Sequence, residues 1–244
     1  MNYRSLYMIS AQILLALSFI ICTVIVTNTL KMLKFGRGTI QVKGCAEKEI
    51  HSDFIKMNGT ICTSAIALLD AYLKLEKDRD ILKNYLNDQG VNPGEVTYRP
   101  ITTSTIYKLD SKGRPTNNIE HYVLNQTFYI SSKNIPLISS VGENITTLLK
   151  EGLEIMSSSP EYLYMSIDSL KITMLAEASH DAHLRAEALV SNSGSVVGPM
   201  LACKQGVFQI TDAHSTAVSD YGEYDTSSID KRIKAVVTVE YEII

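Results

Sequence analysis

Residues 95–131 read EVTYRPITTSTIYKLDSKGRPTNNIEHYVLNQTFYIS, and this stretch decides the fold class. Two runs rich in β-branched and aromatic residues, 95–110 and 119–131, flank the polar segment SKGRPTNN, which contains glycine and proline. This pattern is typical of two strands that are joined by a turn. Because strands joined in this way pair antiparallel, the stretch predicts a long β-hairpin.

Segments with helical spacing lie on both sides of the hairpin. One helix is predicted over about 65–88, a second from Pro136 to Gly152, and a third over about 168–193 with Asp168 as a candidate N-cap. The expected apolar face of the first consists of Ile66, Leu69, Leu73, Leu82, Tyr85 and Leu86. The expected apolar stripe of the third consists of Leu175, Ala178, Ala182, Ala186 and Leu189, opposite an exposed Leu184.

Further strands are predicted at 39–44, 53–63, 161–167, 196–211 and 233–243. In the last of these, one face should carry Ile233, Ala235, Val237, Val239 and Tyr241. Strand pairs interleaved with three helices predict an α+β fold with mostly antiparallel sheets.

The N-terminus predicts a transmembrane helix. No charged side chain lies between Arg4 and Lys31, and the run is dominated by Leu, Ile, Val and Phe. As a helix it would be roughly 35–40 Å long, which exceeds the ~30 Å thickness of the hydrocarbon core of a bilayer. We therefore expect an anchor over 1–38, with its span at about 6–30, a short linker, and one domain over 39–244. A cleaved signal peptide, followed by secretion, is the alternative.

Composition and cysteine usage restrict the partners. The 244 residues are 45% hydrophobic and 20% charged, with a net charge of -3. A nucleic-acid partner would need a concentrated basic face, which this slightly acidic composition does not indicate. The four cysteines show no C-x-x-C pattern, and pairing of Cys62 with Cys203 stays open.

The stretch ASHDAHLRAE, 178–187, offers the one candidate metal site. His180, His183 and Glu187 fall on one helix face at i, i+3 and i+7, which would let them converge on a divalent ion such as zinc. The H-E-x-x-H spacing is absent, and a polar face away from the core is what any surface helix carries. P-loop, nucleophile-elbow and dinucleotide motifs are also absent. We therefore expect no enzyme, no cofactor and no catalytic residues, with a metal-dependent hydrolase as the alternative.

Three stretches carry a family resemblance. IQVKGCAEKEIHSD at 40–53, AEASHDAHLRAEALVSNSGSVVG at 176–198 and KAVVTVEYEI at 234–243 are similar to motifs of the SIMPL-domain family, and the order of elements between them also fits. Ser52 stands where that family usually has proline. The resemblance implies a bacterial envelope protein without agreed catalytic residues. Some relatives are described as oxidative-stress defence proteins or outer-membrane immunogens, and some form ring- or channel-like homo-oligomers.

The two indications of membrane orientation disagree. Arg4 precedes the span, whereas Lys31, Lys34 and Arg37 follow it, so the positive-inside rule favours a cytoplasmic domain. The resemblance implies a domain outside the cytoplasm. We expect a single-pass protein of the bacterial inner membrane whose domain faces the periplasm and forms a homo-oligomer, linked to stress defence. The alternative is a binding or adaptor module that recognises another envelope protein through an exposed sheet edge.

Overall fold

The structure is a computed structural model that describes residues 3–34, 38–215 and 221–244. The helices are α1 (Tyr3–Lys34), α2 (Leu68–Asp88), α3 (Ile135–Asn144) and α4 (Ile167–Val190). The strands are β1 (Thr39–His51), β2 (Phe54–Ala65), β3 (Val96–Tyr98), β4 (Thr102–Leu109), β5 (Pro115–Ser132), β6 (Ile155–Ser157), β7 (Glu161–Leu163), β8 (Val197–Gln205), β9 (Gln209–Asp212), β10 (Glu223–Tyr224) and β11 (Asp230–Ile243).

The strands form two sheets, and the predicted α+β class is confirmed. One sheet has the order β3-β5-β2-β6, with β4 also paired to β5 and β7 to β2; the other has the order β1-β11-β9-β10, with β8 paired to β11. Apart from β9 and β10, which run parallel, the pairs whose register the structure describes are antiparallel. The predicted hairpin is present as β4 and β5, and the three predicted helices are α2, α3 and α4. The helix predicted from Pro136 to Gly152 is shorter than expected, since α3 ends at Asn144 and Ile145–Glu151 form a 3-10 helix.

The chain divides into two compact units. The first consists of Met1–Ala46, Thr173–Gly206 and Ala235–Ile244, and the second of Glu47–Ile172 and Val207–Lys234.

In the second unit, α2 and α3 cover the sheet that contains β2 and β5. Alternate residues of both strands point to the helices, so that Ile61 and Phe128 are fully buried. A β-carbon at Gly59 would lie 2.5 Å from Cζ of Phe128, so only glycine leaves room for this ring. The core of this unit includes Ile55, Met57, Ile61, Leu75, Leu82, Leu124, Phe128, Ile138 and Val141.

The predicted apolar face of α2 is wrong in its first half. Leu82 and Leu86 are buried and Tyr85 is half-buried, but Ile66, Leu69 and Leu73 are 83%, 66% and 53% exposed. The residues that face the sheet are Ala71, Leu75, Asp78, Leu82 and Leu86. The helix begins at Leu68 rather than at 65, and the Thr63 hydroxyl donates a hydrogen bond of 3.1 Å to the carbonyl of Ala71. This hydrogen bond joins β2 to the first turn of α2, where Ala71 is buried and Leu69 and Leu73 are exposed.

In the first unit, the predicted alanine stripe of α4 is confirmed. Ala178, Ala182 and Ala186 are all buried, whereas Leu189 is 64% exposed and Leu175 is half-buried. Met174 and Val190 are buried in their place, because successive buried positions follow a spacing of four residues.

Three local predictions need correction. Helix α4 begins at Ile167, so Asp168 lies in its first turn and is not the N-cap. The strand expected over 161–167 is only Glu161–Leu163, because this helix starts before the stretch ends. The strand expected over 196–211 is two strands, β8 and β9, on either side of Gly206. The single-faced pattern of β11 is confirmed, since all five expected residues are buried.

Helix α1 is long and apolar enough to cross a membrane. Its window Ile13–Leu30 has a mean hydropathy of 2.3, and none of it is buried. The hydroxyl of Thr23 donates to the carbonyl of Phe19 at 2.7 Å, and that of Thr29 to the carbonyl of Ile25 at 2.8 Å. Such bonds remove the cost of an unsatisfied hydroxyl in hydrocarbon. The helix is compatible with a single-pass anchor or with a signal peptide. Residues 35–37 of the expected linker lie outside the described residues.

Candidate functional site

The three candidate metal ligands lie on α4, and only two of them interact. Nε2 of His183 is 3.4 Å from Oε1 of Glu187, and the His183 ring is 5.4 Å from the ring of Tyr241. His180 is exposed. Across residues 3–34, 38–215 and 221–244, no three His, Cys, Asp or Glu side chains come together in a way that could hold a metal ion. What the structure shows here is a contact between an imidazole and a carboxylate on a helix surface.

Gly44 and Cys45 of β1 hold α4 against this strand in the first unit. A β-carbon at Gly44 would lie 2.0 Å from the carbonyl oxygen of Ala178 and 2.7 Å from the β-carbon of Ala182, so the two backbones touch at this point. Next to this contact, the backbone N–H of Cys45 donates to Oδ2 of Asp181 at 2.8 Å, and Nε of Arg185 donates to the same oxygen at 2.7 Å. The role of these four side chains and backbones, at Gly44, Cys45, Asp181 and Arg185, is therefore to pack α4 against β1.

The Asp181 carboxylate was not singled out in the sequence. The hydrogen bond from the Cys45 backbone, followed by that from Arg185, holds the pKa of Asp181 below its usual range. An acidic residue one position after a histidine carries no signal of such a distant partner, because Cys45 is 136 residues away in the chain.

A buried lysine in the second unit is also structural. Lys231 is 1% exposed, and its Nζ lies 3.3 Å from Oδ2 of Asp225 and donates to the carbonyl of Ser228 at 2.5 Å. Burial raises the pKa of Asp225, but hydrogen bonds from Ser227 and Ser228, with the nearby ammonium, outweigh it and lower that pKa strongly.

The Ser52 backbone N–H donates to the carbonyl of Ile229 at 2.9 Å, a bond that the proline usual in the resembled family cannot form.

A polar cavity of about 310 Å³ lies between α3 and the strands β6 and β7. The hydroxyls of Ser139 and Tyr162 are 3.1 Å apart at its wall. Its lining consists of Ser139, Gly142, Glu143, Ser157, Ser158, Ser159, Pro160 and Tyr162. The lining contains no imidazole, so the geometry does not provide the pair of nucleophile and histidine base on which hydroxyl catalysis most often depends.

An apolar groove lies beside the start of α2. We call it the α2 groove; its volume is about 560 Å³, and its lining consists of Leu68, Leu69, Tyr72, Ile101, Thr103 and Leu124. Leu124 is buried at the floor, whereas Leu68, Leu69 and Tyr72 are 46%, 66% and 40% exposed at the wall. An apolar surface of this kind can bury area against another molecule. Its polar groups are the hydroxyls of Tyr72 and Thr103, and that of Tyr72 donates a hydrogen bond to Glu76.

The hairpin of β4 and β5 extends beyond this groove. No residue of β4 is buried, and the first buried residue of β5 is Leu124. The turn is closed by Asp110, whose Oδ1 accepts hydrogen bonds from the backbone N–H groups of Lys112 at 2.8 Å and Arg114 at 2.9 Å. The structure thus presents a two-stranded ribbon whose two faces are both open to solvent.

A comparison with protein families gives one match. The model of the SIMPL family, described as a protein of unknown function (DUF541), matches residues 40–241. No curated protein matches the chain. The matched range includes the whole second unit and most of the first unit after α1, which it leaves out.

Proposed function

The chain belongs to the SIMPL family, and from this premise we propose that it is a non-enzymatic protein that α1 tethers to a membrane and whose SIMPL domain associates with further copies of itself. The observation that carries the proposal is the exposed apolar surface at the start of α2. Monomeric proteins rarely leave a contiguous apolar patch of more than a few hundred Å² open to water.

The tether is supported by the composition of α1. Ile13–Leu30 contains no charged side chain and none of its residues is buried. At roughly -0.3 to -0.6 kcal/mol for each large apolar residue, insertion of such a segment into a bilayer is favourable by several kcal/mol. A helix of this kind left in water would promote aggregation.

The contacts that the polar side chains already make within the protein support the non-enzymatic part of the proposal. His183 pairs with Glu187, Asp181 binds a backbone N–H, and Lys231 neutralises Asp225. Each of these groups stabilises the fold where it stands, and none needs a ligand to satisfy its charge.

Extraction of the full-length protein from membranes tests the tether and self-association together. Alkaline carbonate should leave the protein in the membrane pellet, and detergent should release it. Light scattering, corrected for bound detergent, should then give a protein mass that is a multiple of 27.0 kDa. Release by carbonate would contradict the tether, and a protein mass of 27.0 kDa would contradict self-association.

Metal content tests the alternative of a hydrolase that uses His180, His183 and Glu187. Our proposal predicts that the purified protein holds less than one zinc per chain, and that His180→Ala does not change this amount. Stoichiometric zinc that His180→Ala removes would overturn the non-enzymatic assignment.

From the family resemblance we propose that α1 lies in a bacterial inner membrane and that the domain faces the periplasm. Cys203 is exposed on β8, so a membrane-impermeant maleimide should label it in spheroplasts, and Cys203→Ser should lose this labelling. Labelling only after lysis would contradict the placement. The resemblance also leads us to propose a role in stress defence. A comparison of the survival in peroxide of cells with and without the protein tests this role.

A further inference from the structure

We propose that the end of the SIMPL domain at which α1 joins it lies in the headgroup layer of the bilayer that α1 spans. Three apolar side chains at this end, Leu189, Val196 and Ile244, contact the lipid there; we call them the tether-end patch. All three belong to the first unit, as does α1. The inference rests on the proposed tether and goes beyond it, because it gives the folded domain a lipid contact of its own.

Backbone hydrogen bonds hold two residues of the tether-end patch beside the point at which the chain enters the domain. The N–H of Ile243 donates to the carbonyl of Gly38 at 2.7 Å. Val196 and Ile244 exchange two such bonds, of 2.8 and 2.9 Å, so their side chains are direct neighbours on one side of the sheet. Gly38, the first described residue after α1, is thus bonded to the residue next to Ile244.

Leu189 lies at the same end of the unit because a turn joins α4 to β8. Helix α4 ends at Val190, and within the turn the Ser193 N–H donates to the Val190 carbonyl at 2.9 Å. Shortly after this turn the chain reaches Val196, which pairs with Ile244. The end of α4, the start of β8 and the end of β11 therefore meet here.

The tether-end patch is the most exposed apolar part that the structure describes in this unit outside α1. Its three side chains are 64%, 66% and 71% exposed in chain order. The other exposed large apolar side chains described there are 48%, 47% and 51% exposed, and these are Leu184, Met200 and Leu201. Apolar surface that is left open to water in this way marks a contact with another molecule or a membrane.

The sequence keeps charged side chains away from this end. None occurs in residues 38–42 or 188–203, and Glu242, the acid nearest to the end of β11, is buried. The carboxyl group of Ile244 suits the headgroup layer, which is polar. The charged residues between the apolar window of α1 and Gly38 are all basic, which favours the phosphates of lipid headgroups, and they are Lys31, Lys34 and Arg37.

The connection from the span to the domain is short. The apolar window of α1 ends at Leu30, and α1 itself ends at Lys34. The helical residues after Leu30 add about 6 Å at about 1.5 Å per residue, and the steps from Lys34 to Gly38 add at most about 14 Å. Gly38 therefore lies within about 20 Å of the edge of the hydrocarbon, and the headgroup layer fills about 5–8 Å of that distance.

This short connection favours lipid over a second copy as the partner of the tether-end patch. Because α1 of every copy lies in the same bilayer, it holds each patch within reach of the headgroups. Two copies in one membrane stand side by side, and a contact from patch to patch would have to turn both domain ends away from the lipid. An apolar face in this layer enters the boundary between headgroups and acyl chains by about 5–10 Å.

Tryptophan fluorescence tests the contact, because the chain contains no Trp and one substitution gives a single emitting indole. Leu189→Trp and Val196→Trp are each made in the full-length protein, which is inserted into vesicles of phosphatidylethanolamine and phosphatidylglycerol. Lipids brominated on the acyl-chain carbons nearest the headgroup should quench both variants, because bromine quenches only at contact range. Iodide in the buffer should quench both weakly.

Ile172→Trp is the matched control for these two variants. Ile172 lies on the same helix as Leu189 and is 71% exposed. The two positions are roughly 25 Å apart along α4 at about 1.5 Å per residue. Iodide should therefore quench Ile172→Trp strongly, and the brominated lipid should not quench it.

The possible results separate this inference from the tether on which it rests. If iodide quenches both patch variants as strongly as the control and the brominated lipid does not, the domain end stands clear of the bilayer, and the inference is wrong while the tether stands. If both are protected from iodide but not quenched by the lipid, protein covers the patch, and the inference is again wrong. Release of the protein from the vesicles by alkaline carbonate would contradict the tether and the inference together.

Discussion

At the residue scale, Gly44 sets the distance between α4 and β1. A β-carbon at this position would lie 2.0 Å from the Ala178 carbonyl, which is backbone and cannot rotate away. We expect Gly44→Ala to lower the free energy of unfolding by about 1–3 kcal/mol, as overpacking does. Chemical denaturation of the full-length protein in detergent measures this change. Gly38→Ala is the control, because a β-carbon there would meet Ile243 at an ordinary 3.7 Å; equal effects of both substitutions would contradict the account.

Asp78 is a buried acid between α2 and the sheet. It is 5% exposed, and its Oδ2 has no hydrogen-bond partner within the described part of the chain. Burial raises the pKa of Asp78, with nearby Lys74 and Lys77 acting in the opposite direction. Because the folded state disfavours the charged form, this carboxyl group contributes most to stability at low pH and costs stability as the pH rises through its folded pKa.

Asp78→Asn should therefore stabilise the protein at neutral pH. The gain should shrink as the pH falls toward the ordinary pKa of an aspartate, because the carboxyl group is then neutral in both states. Midpoints of urea unfolding between pH 4 and pH 7 for the two proteins measure this. A gain that stays constant over that range would show that charge is not the cause.

At the element scale, the segment before β11 depends on one ion pair. Lys231 is fully buried against Asp225 and the carbonyl of Ser228. Asp225→Asn leaves that ammonium without a counter-charge and should cost about 3 kcal/mol of unfolding free energy, the lower end of the range for a broken buried pair. Adding Lys231→Met should recover most of the loss. A double variant that is as unstable as the single one would contradict the pairing.

The elements also show what the sequence could predict. The sequence predicted the hairpin of β4 and β5, the alanines of α4 and the alternation of β11. In each of these segments the pattern was compatible with only one buried face. For α2 the pattern allowed two apolar faces, and only the packing against the sheet shows that the face with Ala71, Leu75 and Leu82 is the buried one. The partners Cys45 and Asp181 are far apart in the chain, so their contact exists only once the sheet has formed.

At the scale of the whole molecule, α1 is the feature on which location depends. Leu17→Arg with Val24→Arg should prevent stable insertion, because each arginine near the centre of the span costs about 2.5–3.5 kcal/mol. Fractionation of cells should then find the protein outside the membrane pellet. Ile172→Arg with Leu189→Arg, an equal change at two exposed positions of α4, should leave the protein in the pellet. Retention of the double variant would contradict the anchor.

The most direct test of the central claim counts copies in the membrane itself. The full-length protein, labelled with one fluorophore per chain, should bleach in several discrete steps per spot in native membranes. Single-step bleaching of the unsubstituted protein at the same surface density would contradict the claim that α1 tethers a self-associating SIMPL domain.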